Sequence, residues 1–305
     1  MLRFILSRVG YSAVSLFLLS LTIFTVVRAT GDPAVLLVGP GGTRDDFAQA
    51  RVHWGLDRPW PEQYLAFVGN AVRGDLGTSF QYRVPVRDIY FDRLPNSLLL
   101  AAVALLLSLV LGIPLGIVAA VKVDTVWDSA SKLVAMFGLS VPNFFIGLVM
   151  INIFAVWLRW LPAAGSGTWQ HLLMPSVALG WYFAASMLRL TRSSMLEVLD
   201  SEYIKLARLK GLPETVVIVK HAFRNALIPV LTLAGINLVI MVNVAVIIET
   251  IFAWPGIGRL LYEGISFRDF PVVQGLVVMA GAMIVGVNLL LDLLYAWIDP
   301  RIRYA

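Results

Sequence analysis

Six apolar stretches, each long enough to cross a lipid bilayer, confine this chain to a narrow set of folds. They run approximately from Val9 to Val27, Leu98 to Val121, Leu133 to Leu158, Leu172 to Leu190, Ala226 to Ile248 and Val272 to Ile298. Hydrocarbon offers no water to backbone N–H and C=O groups, so about 20 successive apolar residues imply a helix whose hydrogen bonds close internally. None of the runs alternates with the period of a barrel strand. The sequence therefore predicts an all-α membrane protein with six transmembrane helices. Composition agrees, since 59% of the 305 residues are hydrophobic and the mean hydropathy is +0.81, against about 45–50% apolar residues in soluble domains.

Arg3 and Arg8 precede the first run, as in a secretion signal. Its apolar length exceeds the roughly 7–15 residues of such a signal, and Arg28-Ala29-Thr30-Gly31-Asp32 is a poor cleavage site, so the run is expected to remain as an anchor. Basic residues cluster at the N-terminus, around Lys122 and Lys132, between Arg189 and Arg224, and at Arg301 and Arg303. The alternate short loops hold only Arg159, Arg259 and Arg268. By the positive-inside rule both termini are cytoplasmic. The long loop from Gly31 to Pro95 then lies outside, where Pro33, Pro40, Gly41 and Gly42 make its start irregular and helical composition follows around Asp45 to Trp54 and Pro61 to Val72. The predicted organisation is residues 1–30 as tail and first span, 31–96 as an external cap, and 97–305 as the membrane core. No internal repeat is evident.

Between the fourth and fifth runs, Ser201 to Pro229 is charged, helix-forming and broken once at Gly211-Leu212-Pro213. Lys205, Arg208, Lys210, Lys220 and Arg224 are positive, and the few apolar residues fall at helical spacing. It reads as a pair of helices that docks a soluble partner on the cytoplasmic side.

Chemistry is sparse. Cysteine is absent, which excludes disulfides and thiolate metal sites, and His53, His171 and His221 are scattered without metal-ligand spacing. No phosphate loop, Gly-x-Ser-x-Gly elbow or paired intramembrane carboxylates occur, so neither intrinsic ATP hydrolysis nor another enzymatic activity is expected. The net charge of +5 reflects loop asymmetry, and no nucleic-acid recognition module is recognisable.

Within the spans, Asn288, Asp292, Tyr295 and Asp299 share one face of the last helix, which is expected to point into protein. They read either as a polar wall of a translocation route or as a packing stripe with Asp292 paired to a base such as Arg8. Asn237 and Asn243 lie about 240° apart around the fifth span, so they cannot both face one lumen, and at least one is expected to bond between helices. Gly112, Pro114 and Gly116 in the second span, and Pro142 with Asn143 in the third, mark close packing or a kink. After the fifth span, Glu249, Phe252 and Pro255-Gly256-Ile257-Gly258 predict a tight turn, followed by a short amphipathic helix carrying Arg259, Leu260, Glu263 and Phe267. Structural capping and contact with an external partner are both open for this region.

These residues carry a resemblance. Gly31-Asp32-Pro33-Ala34, Gly55-Leu56-Asp57, Gln63-Tyr64, Gly74-Asp75-Leu76-Gly77 and Pro95-Asn96-Ser97 resemble the permease subunits of bacterial ABC importers, in the dipeptide, oligopeptide and nickel branch. Glu249, Phe252, Pro255-Gly256, Gly258, Arg268-Asp269, Pro271, Asn288-Leu289, Asp292, Tyr295 and Asp299-Pro300-Arg301-Ile302-Arg303 follow in family order. The cytoplasmic segment resembles the coupling motif at Glu202-Tyr203, Ala207-Arg208, Lys210-Gly211-Leu212, His221-Ala222, Arg224-Asn225 and Ile228-Pro229. It departs from importers at large in having Lys205-Leu206-Ala207 for Glu-Ala-Ala and Phe223-Arg224 for Leu-Pro.

The resemblance implies a type I importer permease with an ATPase-coupling segment at 200–225, comprising Glu202, Tyr203, Lys205, Leu206, Ala207, Arg208, Leu209, Lys210, Gly211, Leu212, His221 and Arg224. Asn237, Asn243, Asn288 and Asp292 are pathway or packing candidates. Glu249, Phe252, Pro255, Gly256, Gly258, Arg268 and Asp269 are candidates for external partner contact. The implied partners are a second homologous permease, two ATPase subunits, identical or different, that bind ATP and Mg, a periplasmic substrate-binding protein, and lipid, with no nucleic acid and no cofactor in this chain. Peptides are the default cargo the resemblance implies, with nickel complexes, opines, glutathione-like compounds and other small organic solutes open, and the location it implies is the bacterial inner membrane. The competing readings are an ion-gradient-driven secondary transporter or channel, against which sparse carboxylates and the lack of inverted repeats weigh, and a membrane scaffold without transport.

Overall fold

The computed structural model describes residues 2–31, 33–39 and 41–298, with side chains described for 7–31, 33–34, 37–39 and 41–289. Among the described residues the chain is helical, with one isolated antiparallel bridge between Thr78 and Pro85. Helix α1 (Leu2–Ala29) precedes three short helices, α2 (Ala34–Val38), α3 (Arg44–His53) and α4 (Trp60–Val72). Then come α5 (Val86–Val121), α6 (Val126–Ser140), α7 (Asn143–Met150), which continues with π-helical geometry through Ile151–Trp157, and α8 (Trp169–Leu199). Helix α9 (Glu202–Leu209) follows, then α10 (Glu214–Val216), which passes through a π-helical stretch at Val217–Phe223 into α11 (Arg224–Val244). Helices α12 (Val246–Ile251), α13 (Ile257–Ser266) and α14 (Phe270–Ile298) complete the order.

Among the described residues, five helical stretches are long and apolar enough to cross a membrane: Ser7–Ala29, Val86–Val121, Trp169–Leu199, Glu214–Val244 and Phe270–Leu289. The predicted third span, Leu133 to Leu158, is not one rod. Helices α6 and α7 meet at 99° and make a sixth span only when taken together. Pro142 supplies no N–H and holds Val141 extended (φ −89°, ψ 124°), which ends α6.

The chain divides into two compact units, residues 1–94 with 260–305 and residues 95–259. In the first, α1 packs along α14, where Gly281 lies against Leu19. Tyr64 from α4 stands edge-on to Phe24 with ring centroids 5.4 Å apart, and its hydroxyl lies 2.9 Å from Ser20 Oγ. Thr43 and Asp46 form a reciprocal capping box that starts α3. Asp269 Oδ2 accepts from Ser79 Oγ at 2.5 Å and from the Gln81 amide at 3.1 Å, fixing the segment that enters α5.

In the second unit α8 is the spine. A Cβ at Gly112 would stand 2.7 Å from Ala184 O, one at Gly116 2.8 Å from Leu188 O, and one at Gly180 2.8 Å from Ala104 O. These glycines let the α5 and α8 backbones approach closely, the contact that stabilises helix pairs in lipid, where no hydrophobic drive separates helix from solvent. The single proton of Ser108 Oγ lies between two carbonyls, Ala104 O of its own helix at 2.7 Å and Gly180 O across the seam at 2.9 Å. Asp128 on α6 is fully buried and meets Arg192 of α8 at 2.7 Å and Lys132 at 2.8 Å.

A second buried carboxylate closes the turn after α11. Glu249 Oε1 accepts from Ser97 Oγ at 2.6 Å, Oε2 accepts from the Arg259 amide at 3.0 Å, and Ser97 Oγ in turn accepts from the Ile257 amide at 2.8 Å. Asn96 Nδ2 donates to Pro255 O at 2.9 Å, and Trp254 Nε1 donates to Asn96 O at 3.0 Å. Phe252 is buried against Gly147. Of the residues offered by sequence for external contact, Glu249, Phe252, Gly256, Gly258 and Asp269 are buried, Pro255 is half-buried, and Arg268 alone is exposed. Glu249, Phe252 and Asp269 are engaged in bonds and packing within the chain, as structural capping requires.

Two stability predictions follow from the buried carboxylates. Glu249→Ala strands the Ser97 hydroxyl and the Arg259 amide at about 1–3 kcal/mol for each unpaired group, seen as a lowered melting temperature of the purified protein. Burial pushes the Glu249 carboxyl above its ordinary value, with the Ser97 hydroxyl and the backbone amides of Arg259 and Gly258 pulling it partly back. The native state therefore keeps a proton that the unfolded chain has released, and stability falls as pH rises from the ordinary carboxylate range through the raised value. Glu249→Gln removes that slope in a plot of melting temperature against pH. Arg192→Met leaves Asp128 with Lys132 as its remaining ion-pair partner and is expected to lower the melting temperature of the purified protein. A double-mutant melting cycle with Asp128→Asn returns a coupling energy within about 0.5–3 kcal/mol.

Candidate docking segment

Ser201 opens α9 from extended backbone (φ −69°, ψ 150°), its hydroxyl bonded back to Val198 O. Eight residues then alternate by face. Ile204 and Ala207 are buried and join Ala120, Met195, Val217, Ala222 and Ala226 in one apolar cluster. Tyr203, Leu206 and Leu209 point away from that cluster, with Leu206 57% and Leu209 82% exposed. A four-residue spacing separates Leu206 from Lys210 and a three-residue spacing separates Lys205 from Arg208, so basic and apolar groups alternate on one outward ridge.

The helix stops at Gly211, whose φ of +74° is left-handed. Any residue with a Cβ is strained there, by about 1–2 kcal/mol. Pro213 then sets the start of α10. Across this turn Arg208 pairs with Glu214 through Nη2 at 2.8 Å and Nε at 3.2 Å, and the carboxylate holds the guanidinium above its ordinary value. Lys205 meets Glu202 at 3.0 Å and Asp200 at 3.7 Å, and Glu202 raises its ammonium in the same sense. Asn225 Nδ2 donates to Tyr203 Oη at 2.9 Å, tying α9 to the start of α11.

The sequence predicts a pair of helices here. The first arm is α9, but the second is not a separate helix. Residues from Glu214 onward run without interruption through the π-helical turn, where Lys220 is exposed and His221 half-buried, into Arg224 and α11. Apolar residues enter directly after Pro213, at Val216, Val217 and Ile218, so nothing halts the helix between the charged region and the span.

The pathway candidates are dispersed. Asn237 is buried on the face of α11 that also carries Val230, Ala234 and Met241, and its Nδ2 has no partner among the described residues. Asn243 is half-buried and donates to Val239 O of its own helix at 2.8 Å. The expected bond between helices is thus made by neither amide Nδ2. Asn288 is exposed on this chain, and Asp292, Tyr295 and Asp299 lie outside the residues whose side chains are described. Sequence reasoning missed the Asp128–Arg192 pair and the Ser97–Glu249 bond, which join residues 64 and 152 positions apart. The signal available was a lone carboxylate in or beside an apolar run, which calls for a partner.

Residues 112–304 match the family described as binding-protein-dependent transport system inner membrane component, and residues 1–101 match the N-terminal region of such membrane components. The glutathione transport system permease protein GsiC of Escherichia coli K12 is 38% identical over 305 residues, covering all of both chains. The GsiC protein of Shigella dysenteriae serotype 1 is equally similar. A solved inward-facing structure of the MetNI methionine ABC transporter has the same core fold, with a TM-score of 0.50 at 19% identity over 65% of this chain and 96% of that one. The chain belongs to the inner-membrane components of binding-protein-dependent transport systems and is a multi-pass permease subunit of an ABC importer.

Proposed function

We propose that this permease pairs with a second, homologous permease to form a route for short peptides or glutathione-like solutes, and that α9 is where ATPase subunits grip it. The cargo reading draws on the glutathione permeases that match the whole chain at 38% identity. The observation that carries the coupling reading is the ridge of Leu206, Leu209 and Leu212, exposed beside Lys205, Arg208 and Lys210 on a helix whose opposite face is locked into the core. An amphipathic helix presenting apolar anchors suits a groove in a soluble partner. In this reading residues 200–225 and both termini face the cytoplasm, residues 31–96 form a periplasmic cap that meets the binding protein, and the partner subunits hold ATP and Mg.

The continuity of α10 with α11 gives the contact a mechanical output. Movement of the ATPases as they close on ATP turns α9, and the apolar cluster around Ile204 and Val217 carries that rotation into the membrane helices. Driving an equilibrium from 1:99 to 99:1 takes about 5.5 kcal/mol, so the link must be stiff. The Arg208–Glu214 bridge and the Asn225–Tyr203 bond stiffen it.

Leu209→Asp or Arg208→Glu in the assembled transporter is expected to cut binding-protein-stimulated ATP hydrolysis and uptake by at least an order of magnitude while the permease still reaches the membrane. Gly211→Val, which strains the left-handed turn, acts in the same direction. Uptake assays with labelled dialanine and glutathione, alongside ATP hydrolysis and subunit stoichiometry, read these outcomes. Normal coupling in all three variants sinks the assignment of α9.

A further inference from the structure

The first compact unit contains a cavity of about 360 Å³ between α4, the turn before α5 and the start of α14. Its size falls within the range of small-molecule sites, about 300–1,000 Å³. Two of its walls are amides held out of water. Gln274 is 4% exposed and its Nε2 finds no partner among the described residues. Gln63 is 9% exposed, and its Nε2 donates to Leu56 O at 3.2 Å and Arg58 O at 2.7 Å. Those two bonds fix the amide's orientation and leave Oε1 as an acceptor without a partner among the described residues. A buried polar atom left unpaired is costly, so each amide needs a complementary group.

The charged lining has both signs. Arg28 and Arg58 contribute guanidinium groups, and Asp75 contributes a carboxylate whose Oδ1 also accepts from the Gly77 amide at 2.9 Å. A second cavity of about 250 Å³ shares Arg28 and Gln63, so this amide and this guanidinium serve two adjoining spaces. The unmet donor on Gln274, together with the exposed Arg58 guanidinium, calls for a carboxylate. The unmet acceptor on Gln63, together with Asp75, calls for an ammonium or N–H group. We propose that this cavity is a binding site for a small zwitterionic solute of the amino-acid or short-peptide class, separate from any route through the membrane. The assignment rests on the lining alone, so it stands or falls independently of the proposed cargo and of the coupling role of α9.

The test uses the whole transporter in lipid nanodiscs, without binding protein or nucleotide, titrated calorimetrically with dialanine. Saturable binding is expected, weakened at least tenfold by Gln274→Met and by Arg58→Ala, and not competed by N-acetylalanine amide, which carries neither charge. Gln274→Met removes no protein hydrogen bond, so its melting temperature stays at or above that of the parent and the lost affinity is not unfolding. Arg58 is exposed, and its variant keeps the test decisive if the first one fails to assemble. Absence of saturation at millimolar dialanine means the cavity holds only solvent and overturns the proposal. Binding that survives both variants unchanged places the solute elsewhere and overturns it equally.

Discussion

How near α8 can come to its neighbours governs the second unit. In hydrocarbon, helices gain little from hiding apolar surface, because lipid tails are as apolar as leucine, and association depends on van der Waals fit and a few polar bonds. Gly112, Gly116 and Gly180 remove the side chains that would hold α5 off α8, and Ser108 uses the resulting proximity to reach a backbone carbonyl across the seam. At one end of the same pair, Ala120 and Met195 meet Ile204, Ala207, Val217, Ala222 and Ala226, so α9 is seated by the close packing of the spans rather than by its own stability. A helix of eight residues would be marginal in isolation.

The apolar runs made the membrane-spanning helices legible, because hydrocarbon leaves the backbone no alternative to internal hydrogen bonding. Their ends were less legible. Apolar run length cannot see that Val86 to Leu94 extends α5 with mixed polarity, nor that Glu214 begins the helix that becomes α11. Pro142 and Asn143 marked close packing or a kink in the third run, and the structure has a bend there; its size, 99°, was not legible, because hydropathy counts a proline-broken run as one stretch. Gly211 and Pro213 were readable as a break because both residues act on their own backbone angles.

Long-range pairing was the part that a single sequence hid. Glu249 stood out as polar after an apolar run, and its place in the family order was visible, but contact with Ser97 depends on tertiary packing. The same holds for Asp128 with Arg192. The outward ridge of α9 was legible because it is local: the i, i+3 and i+4 pattern decides which side chains turn outward. Gln63 stood out only within the Gln63-Tyr64 resemblance and Gln274 gave no local signal, since burial is what distinguishes their amides from those of surface glutamines.

The Ser97–Glu249–Arg259 knot bears on how a transport cycle can proceed. Ser97 lies within α5 and Glu249 in α12, the short helix after α11, so a carboxylate withdrawn from water ties α5 to the segment that follows α11. Separating them would expose unpaired polar groups to an apolar surrounding, a penalty of several kcal/mol. Any relative movement of α5 and α11 that spares this bond has to be taken up away from it, toward the ends where Ala120 and Ala226 share the apolar cluster with Ile204 and Ala207 of α9.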